Sequence, residues 1–194
     1  MREDRRGDWM QTFTGKVFWP MDPVIEDIDI TDIAHALANA CRFAGHTIRF
    51  YSVAEHSVLM ARALVNPELQ RWALLHDATE AYLVDVPRPV KPFLVGYREA
   101  EAALMAAVAA RFGLAGEMPD LVKSHDNRIL IDERAQAMTY CRRDWNLEGA
   151  PLGVTLRFWS PAEAEREFMI TFRELFGFAP PARVPVKHLV GDME

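Results

Sequence analysis

Four ionisable side chains stand in or beside an apolar helical run in the segment LLHDATEAYLVDVPRPVK, residues 74–91: His76, Asp77, Glu80 and Asp85. Unpaired charges in a protein core cost several kcal/mol each, so such groups need a counter-charge, a metal ion or open water. At helical spacing His76 and Glu80 lie four apart and Asp77 three before Glu80, which turns all three to one side. A lone histidine on an apolar face is more often a hydrogen-bonded core residue than a ligand, so the partners decide. His56 lies one turn into the preceding helix, and the brief connection through Asn66, Pro67 and Glu68 forces that helix against this one. Further on, at ~100° per residue, Val122, Asp126, Ile129, Leu130, Glu133 and Ala137 share one helical face, and His125, Arg128 and Asp132 the other. Of the pair His125-Asp126 it is therefore Asp126 that turns inward. His56, His76, Asp77 and Asp126 can thus meet from three helices. Two imidazoles and two carboxylates suit one divalent transition ion, Co²⁺, Mn²⁺, Fe²⁺ or Zn²⁺, better than Ca²⁺, and four ligands leave positions for water or substrate.

The elements that must carry these residues read as helices. Thr31 is the expected cap of the run DIAHALANACRF, and SVAE at 52–55 reads as a capping box ahead of HSVLMARALV. Asn66-Pro67 supplies a cap and a first-turn proline for ELQRWALLHDATEAYL, expected as one continuous helix. YREAEAALMAAVAARF ends at Gly113, a fifth helix is expected from about Asp120 to about Arg142, and SPAE at 160–163 opens a sixth that stops at Gly177. FTGKVF and LGVTLRFW read as short strands or extended connections. The expected architecture is an all-α bundle in one domain, with its core at about 31–178, an N-terminal arm at 1–12 and a Pro-rich tail at 179–194.

The chain has 194 residues, 50% hydrophobic and 26% charged, enough to bury one substantial core. No stretch approaches the ~20 apolar residues of a membrane span, and MREDRRGDWM has no signal-peptide character, so no membrane partner and a cytoplasmic address are expected. Cys41 and Cys141 stand far apart without CxxC spacing and are expected to be inert core or half-buried thiols. A net charge of −6 removes the electrostatic footprint of a nucleic-acid binder, so an anionic substrate requires a local cluster of cations. The Met and Ala stripe of residues 97–112 is ordinary packing or a subunit contact, which leaves a homo-oligomer, a dimer or larger, open.

The pattern H…HD…D, as His56, His76-Asp77 and Asp126, resembles the HD-domain superfamily of metal-dependent phosphohydrolases. HDATEAYLVDVPRPVK is similar to the HDxxE…D-P-P-V-K signature of bacterial 5'-deoxynucleotidases of the YfbR type, with Glu80, Asp85 and Lys91 in register, and EHS at 55–57 matches that group's first motif. Arg42-Phe43 stands where the group has an Arg-aromatic pair, with Phe in place of the usual Trp. The stretch CRFAGHTIRFYSVAEHS also resembles phage dATP triphosphohydrolases. The likeness spans about residues 31–140.

The resemblance implies a metal-activated water attacking phosphorus, with Glu80 orienting or deprotonating that water or protonating the leaving oxygen. Asp85 is expected to bind the sugar hydroxyl or share the proton transfer. Arg42 and Lys91 are the expected phosphate cations, Phe43 flanks sugar or base, and His46 touches a phosphate or makes a local loop hydrogen bond. The expected function is hydrolysis of (deoxy)nucleoside 5'-monophosphates, a small-molecule nucleotide substrate, with release of phosphate. One rival is a dNTP triphosphohydrolase releasing tripolyphosphate, with Arg49, Arg88 and His46 as its extra cations. A second is a non-catalytic HD-fold nucleotide-binding module, which would have no need of Glu80.

Overall fold

The computed structural model describes residues 5–177; the expected tail at 179–194 lies outside them. Among the described residues the chain is mostly helical. A two-residue hairpin, β1 (Met10–Gln11) and β2 (Val17–Phe18), pairs antiparallel with Met10 opposite Phe18. The helices are α1 (Ile30–Asn39), α2 (Val53–Arg62), α3 (Pro67–Leu75), α4 (Glu80–Leu83), α5 (Tyr97–Phe112), α6 (Asp120–Ala137) and α7 (Pro161–Phe176). α7 packs across α1, α2 and α3, while α2 and α3 both meet α6. Phe18, Ile33, Leu37, Met60, Leu74, Leu75, Leu104, Ile129 and Phe168 fill the shared interior. No helix among the described residues is long and apolar enough to cross a membrane.

Local signals set most helix ends. Asn66 Oδ1 accepts from Glu68 N and Leu69 N, with Pro67 following as the first helical residue. At α7 the capping box is complete: Ser160 Oγ accepts from Glu163 N, and the Glu163 carboxylate accepts from Ser160 N. Gly113 and Gly177 close α5 and α7 in the left-handed conformation. LGVTLRFW forms an extended connection without a ladder.

Four expectations need correction. The α1 cap is Asp29, whose Oδ1 accepts from Thr31 N at 2.9 Å, so Thr31 is the second residue of the helix. At α2 only half a capping box forms. Ser52 Oγ accepts from Glu55 N, but the buried Glu55 carboxylate turns away to accept from Phe158 N at 3.0 Å and from Arg157 N and Trp159 N. α6 stops at Ala137, where Ile48 N donates to the Ala137 carbonyl at 2.8 Å and Met138 turns extended. Cys141 is exposed, while Cys41 is half-buried.

Candidate metal centre

The expected continuous helix over residues 67–83 is broken at the residues that matter. α3 ends at Leu75 and α4 begins at Glu80; in the turn between them Ala78 N donates to Leu75 O and Glu80 N to Asp77 O. Asp77 and Glu80 stand on either side of that turn's end, and the Asp77 charge acts on the buried Glu80 carboxyl. The same break swings His76 and Asp77 off the end of α3 toward α2 and α6.

There they meet His56 from α2 and Asp126 from α6. The Nε2 atoms of His56 and His76 are 3.3 Å apart. Asp126 Oδ1 lies 3.4 Å from His56 Nε2 and 3.9 Å from His76 Nε2. His56, His76 and Asp126 form a triad able to hold a metal ion, their ligand atoms lying within 4.8 Å of one another. Asp77 Oδ2 is a fourth donor in reach, 3.2 Å from His76 Nε2 and 3.7 Å from His56 Nε2. An ion with tetrahedral bonds of ~2.1 Å spaces its ligands ~3.4 Å apart, so this nitrogen and oxygen set fits a small divalent transition metal.

Each donor is held from behind. His76 Nδ1–H donates to Ala73 O at 2.7 Å, and His56 Nδ1 pairs with Glu133 Oε1 at 2.7 Å, so both rings can turn an Nε2 lone pair to the centre. Arg42 Nη1 reaches Asp77 Oδ2 and Arg88 Nη2 reaches Asp126 Oδ2, both at 3.5 Å. Burial disfavours an imidazolium at His76, yet the charge and hydrogen bond of Asp77 and the charge of Asp126 prevail and raise it to about 9. Burial would raise Asp126, but the hydrogen bond from His56 and the charge of His76 hold it down to about 2. A cation bound here would compete with protonation of the imidazoles.

Glu80 is buried, and burial together with the charges of Asp77 and Asp85 pushes its carboxyl well above the usual carboxylate range, against Arg42 and Lys91. Its Oε2 has no hydrogen-bond partner, and Oε1 lies 3.7 Å from Lys91 Nζ. Asp85 is half-buried, raised by burial and by Asp77 against Arg42 and Lys91, and follows Val84, a β-branched residue held at φ 69°. Lys91 also donates to Glu101 Oε1 at 2.8 Å. Arg42 is buried between carboxylates, and Phe43 is half-buried at φ 54° with its ring 5.6 Å from that of Trp145. His46 is exposed and its backbone N–H donates to Phe43 O. Arg49 lies over the Phe158 ring at 4.5 Å, whereas Arg88 stands on Asp126 and Asn127.

The helical pattern puts Glu133 on the inward face of α6 without giving it a role. That face is the available signal, since it already carries Asp126. Tyr51, which donates to Glu133 Oε1 at 2.8 Å, and Trp145 have no such signal. Asp132 is a correction: expected on the outer face, it is buried and accepts from Leu152 N at 2.7 Å and Gly153 N at 3.2 Å. The extended connection after residue 149 covers that side of α6, and helical periodicity is blind to a loop packed from elsewhere.

No family model matches the sequence. Over 170 residues the chain is 39% identical to the uncharacterized protein YfdR of Escherichia coli strain K12, a match covering 86% of this chain and 95% of YfdR. The chain belongs to the YfdR family. An uncharacterized protein of Rhodobacter capsulatus is 44% identical over 124 residues, 59% of this chain and 63% of that protein.

Proposed function

We propose that this YfdR-family protein is an HD-domain phosphohydrolase that uses one divalent transition metal to hydrolyse (deoxy)nucleoside 5'-monophosphates to nucleoside and phosphate. The observation that carries the reading is the meeting of His56, His76, Asp77 and Asp126 from three elements beside a buried, readily protonated Glu80. The first four would hold the ion, and Co²⁺, Mn²⁺, Fe²⁺ and Zn²⁺ all match the donor types. When bound, the ion acidifies a water and offsets charge growing on phosphoryl oxygens.

The chain's own residues supply the remaining work. Glu80, whose carboxyl burial and its acidic neighbours push above the usual range, can give a proton to the ester oxygen as the bond to phosphorus breaks, leaving the nucleoside as an alcohol. Lys91, 3.7 Å from Glu80 Oε1, then stabilises the resulting carboxylate. Asp85, half-buried two residues after α4, would accept from a sugar hydroxyl. Arg88, with its side chain 64% exposed beside Asp126, would bring a cation to the phosphate.

The triphosphohydrolase reading requires more positive charge near the centre. Of its named cations, Arg49 is engaged with Phe158 and His46 faces solvent, which leaves Arg88 alone and favours a single phosphate. The test is to incubate Mn²⁺- or Co²⁺-loaded protein with panels of nucleoside mono- and triphosphates and identify the products. Phosphate from dAMP supports the proposal; tripolyphosphate from dATP with dAMP untouched replaces it with the rival, and no turnover of either leaves the binding module.

A further inference from the structure

We infer that Glu133 and Arg42 form a buried brace that positions the metal ligands, with Arg42 a positioning residue and not a grip on the substrate phosphate. The inference rests on the metal-dependent reading above. Glu133 lies seven residues after Asp126, two turns along the same face of α6, so one helix delivers both a ligand and its support. Its side chain is fully buried and uses both oxygens. Oε1 accepts from Tyr51 Oη at 2.8 Å and pairs with His56 Nδ1 at 2.7 Å; Oε2 accepts from Arg42 Nη2 at 3.2 Å, and Arg42 Nε stands 3.2 Å from Oε1. Arg42 Nη1 continues the chain to Asp77 Oδ2 at 3.5 Å. One carboxylate thereby ties together ligands from two other elements, His56 directly and Asp77 through Arg42.

The consequence for His56 follows from its donor inventory. A neutral imidazole has one N–H, and once Nδ1–H is donated to Glu133 the Nε2 lone pair is left to face His76 and Asp126. For Arg42 the consequence is one of charge. A guanidinium placed between two carboxylates in a space nearly closed to water is neutralised before any phosphate arrives. Drawing it away would leave Glu133 a lone buried charge. The backbone reinforces this: Arg42 N donates to Tyr51 O at 2.9 Å, and the two residues that follow, Phe43 and Ala44, are both held in the left-handed region, at φ 54° and 51°.

The experiment titrates metal-free protein with Co²⁺ by calorimetry and visible absorption, using wild type, Glu133→Gln and the double variant Arg42→Met/Glu133→Leu. The double variant removes both charges together, so no lone buried ion opposes folding, and circular dichroism with urea midpoints checks that each variant is folded. The brace requires Co²⁺ to bind the double variant ~10- to 100-fold more weakly than wild type. Glu133→Gln, which keeps an acceptor for His56 but loses the ion pair, should fall between, and it carries the test if the double variant is too unstable. Co²⁺ affinity within two-fold of wild type in these variants, or a raised KM for dAMP with unchanged Co²⁺ affinity, overturns the brace while leaving the metal-dependent reading standing. Failure of wild type itself to bind Co²⁺ removes that reading, and the brace with it.

Discussion

Asp77 stands beside the triad of His56, His76 and Asp126. Its Oδ2 faces both imidazoles and takes a hydrogen bond from Arg42. Asp77→Ala should lose bound metal and phosphohydrolase activity together, and elemental analysis of the purified variant checks it; full metal content would place Asp77 outside the coordination sphere. Glu80 makes the opposite prediction because it stands beside the donors without pairing with them. Glu80→Gln should retain metal and bind nucleotide while turnover falls ~10²-fold or more, the usual scale for removing a positioned acid or base. A single-turnover assay with nucleotide binding measured in parallel separates the two effects, and near-normal turnover would pass the proton transfer to Asp85.

At the scale of elements, the centre depends on where helices stop. The apolar pattern permits one helix from Pro67 to Leu83, yet α3 stops at Leu75 and a turn carrying His76 and Asp77 precedes α4. α1, which packs on α2 and α4, owes its start to Asp29, bonded to Thr31 N and, at 3.0 Å, to Lys16 Nζ. Asp29→Ala should cost about 1 kcal/mol, seen as a melting temperature lower by roughly 2–4 °C. Burial works to raise the Asp29 carboxyl, but the Thr31 N–H and Lys16 win and hold it below its ordinary 3.8. A depressed folded value means that the contribution is complete above about pH 4 and is lost as pH falls through the folded value. The gap in melting temperature between wild type and Asp29→Ala should therefore be constant near neutrality and close in acid; a gap that persists there would assign the cap's effect to shape alone.

Across the whole molecule the centre is a joint between α2, the break after α3, and α6, elements that otherwise meet through apolar packing. It holds two imidazoles and several carboxylates at close quarters, so an ion bound there stabilises the folded chain against an unfolded one that lacks the site. With free metal at 100 times its Kd the gain is about 2.7 kcal/mol, and for a chain of this size roughly 5–10 °C in melting temperature. Mn²⁺ or Co²⁺ should raise the melting temperature of chelator-treated wild type by that order and leave Asp77→Ala unmoved. An equal rise in both proteins would locate the ion elsewhere.

Local chemistry makes most of the helices legible in the amino-acid sequence by itself, and with them the residues of the His56, His76 and Asp126 triad. Caps such as Asn66 and Ser160, the closing glycines 113 and 177 and the turn of Asp126 inward all depend on neighbours within a few residues, which the sequence displays directly. What the tertiary structure decided lies in contacts between distant positions. Glu133 meets His56, Tyr51 and Arg42 across 77, 82 and 91 residues, and Glu55 meets the backbone of residues 157–159 across more than 100. Each of these carboxylates looks, in sequence, like an ordinary helical glutamate or half of a capping box. A buried charge must find its partner wherever the packed chain supplies one, and that search is settled by how the elements fit together and not by spacing along the chain. The break after Leu75 belongs to the same class, because the apolar pattern of residues 67–83 permits an unbroken helix and only the packed structure shows the turn that brings His76 and Asp77 to His56 and Asp126.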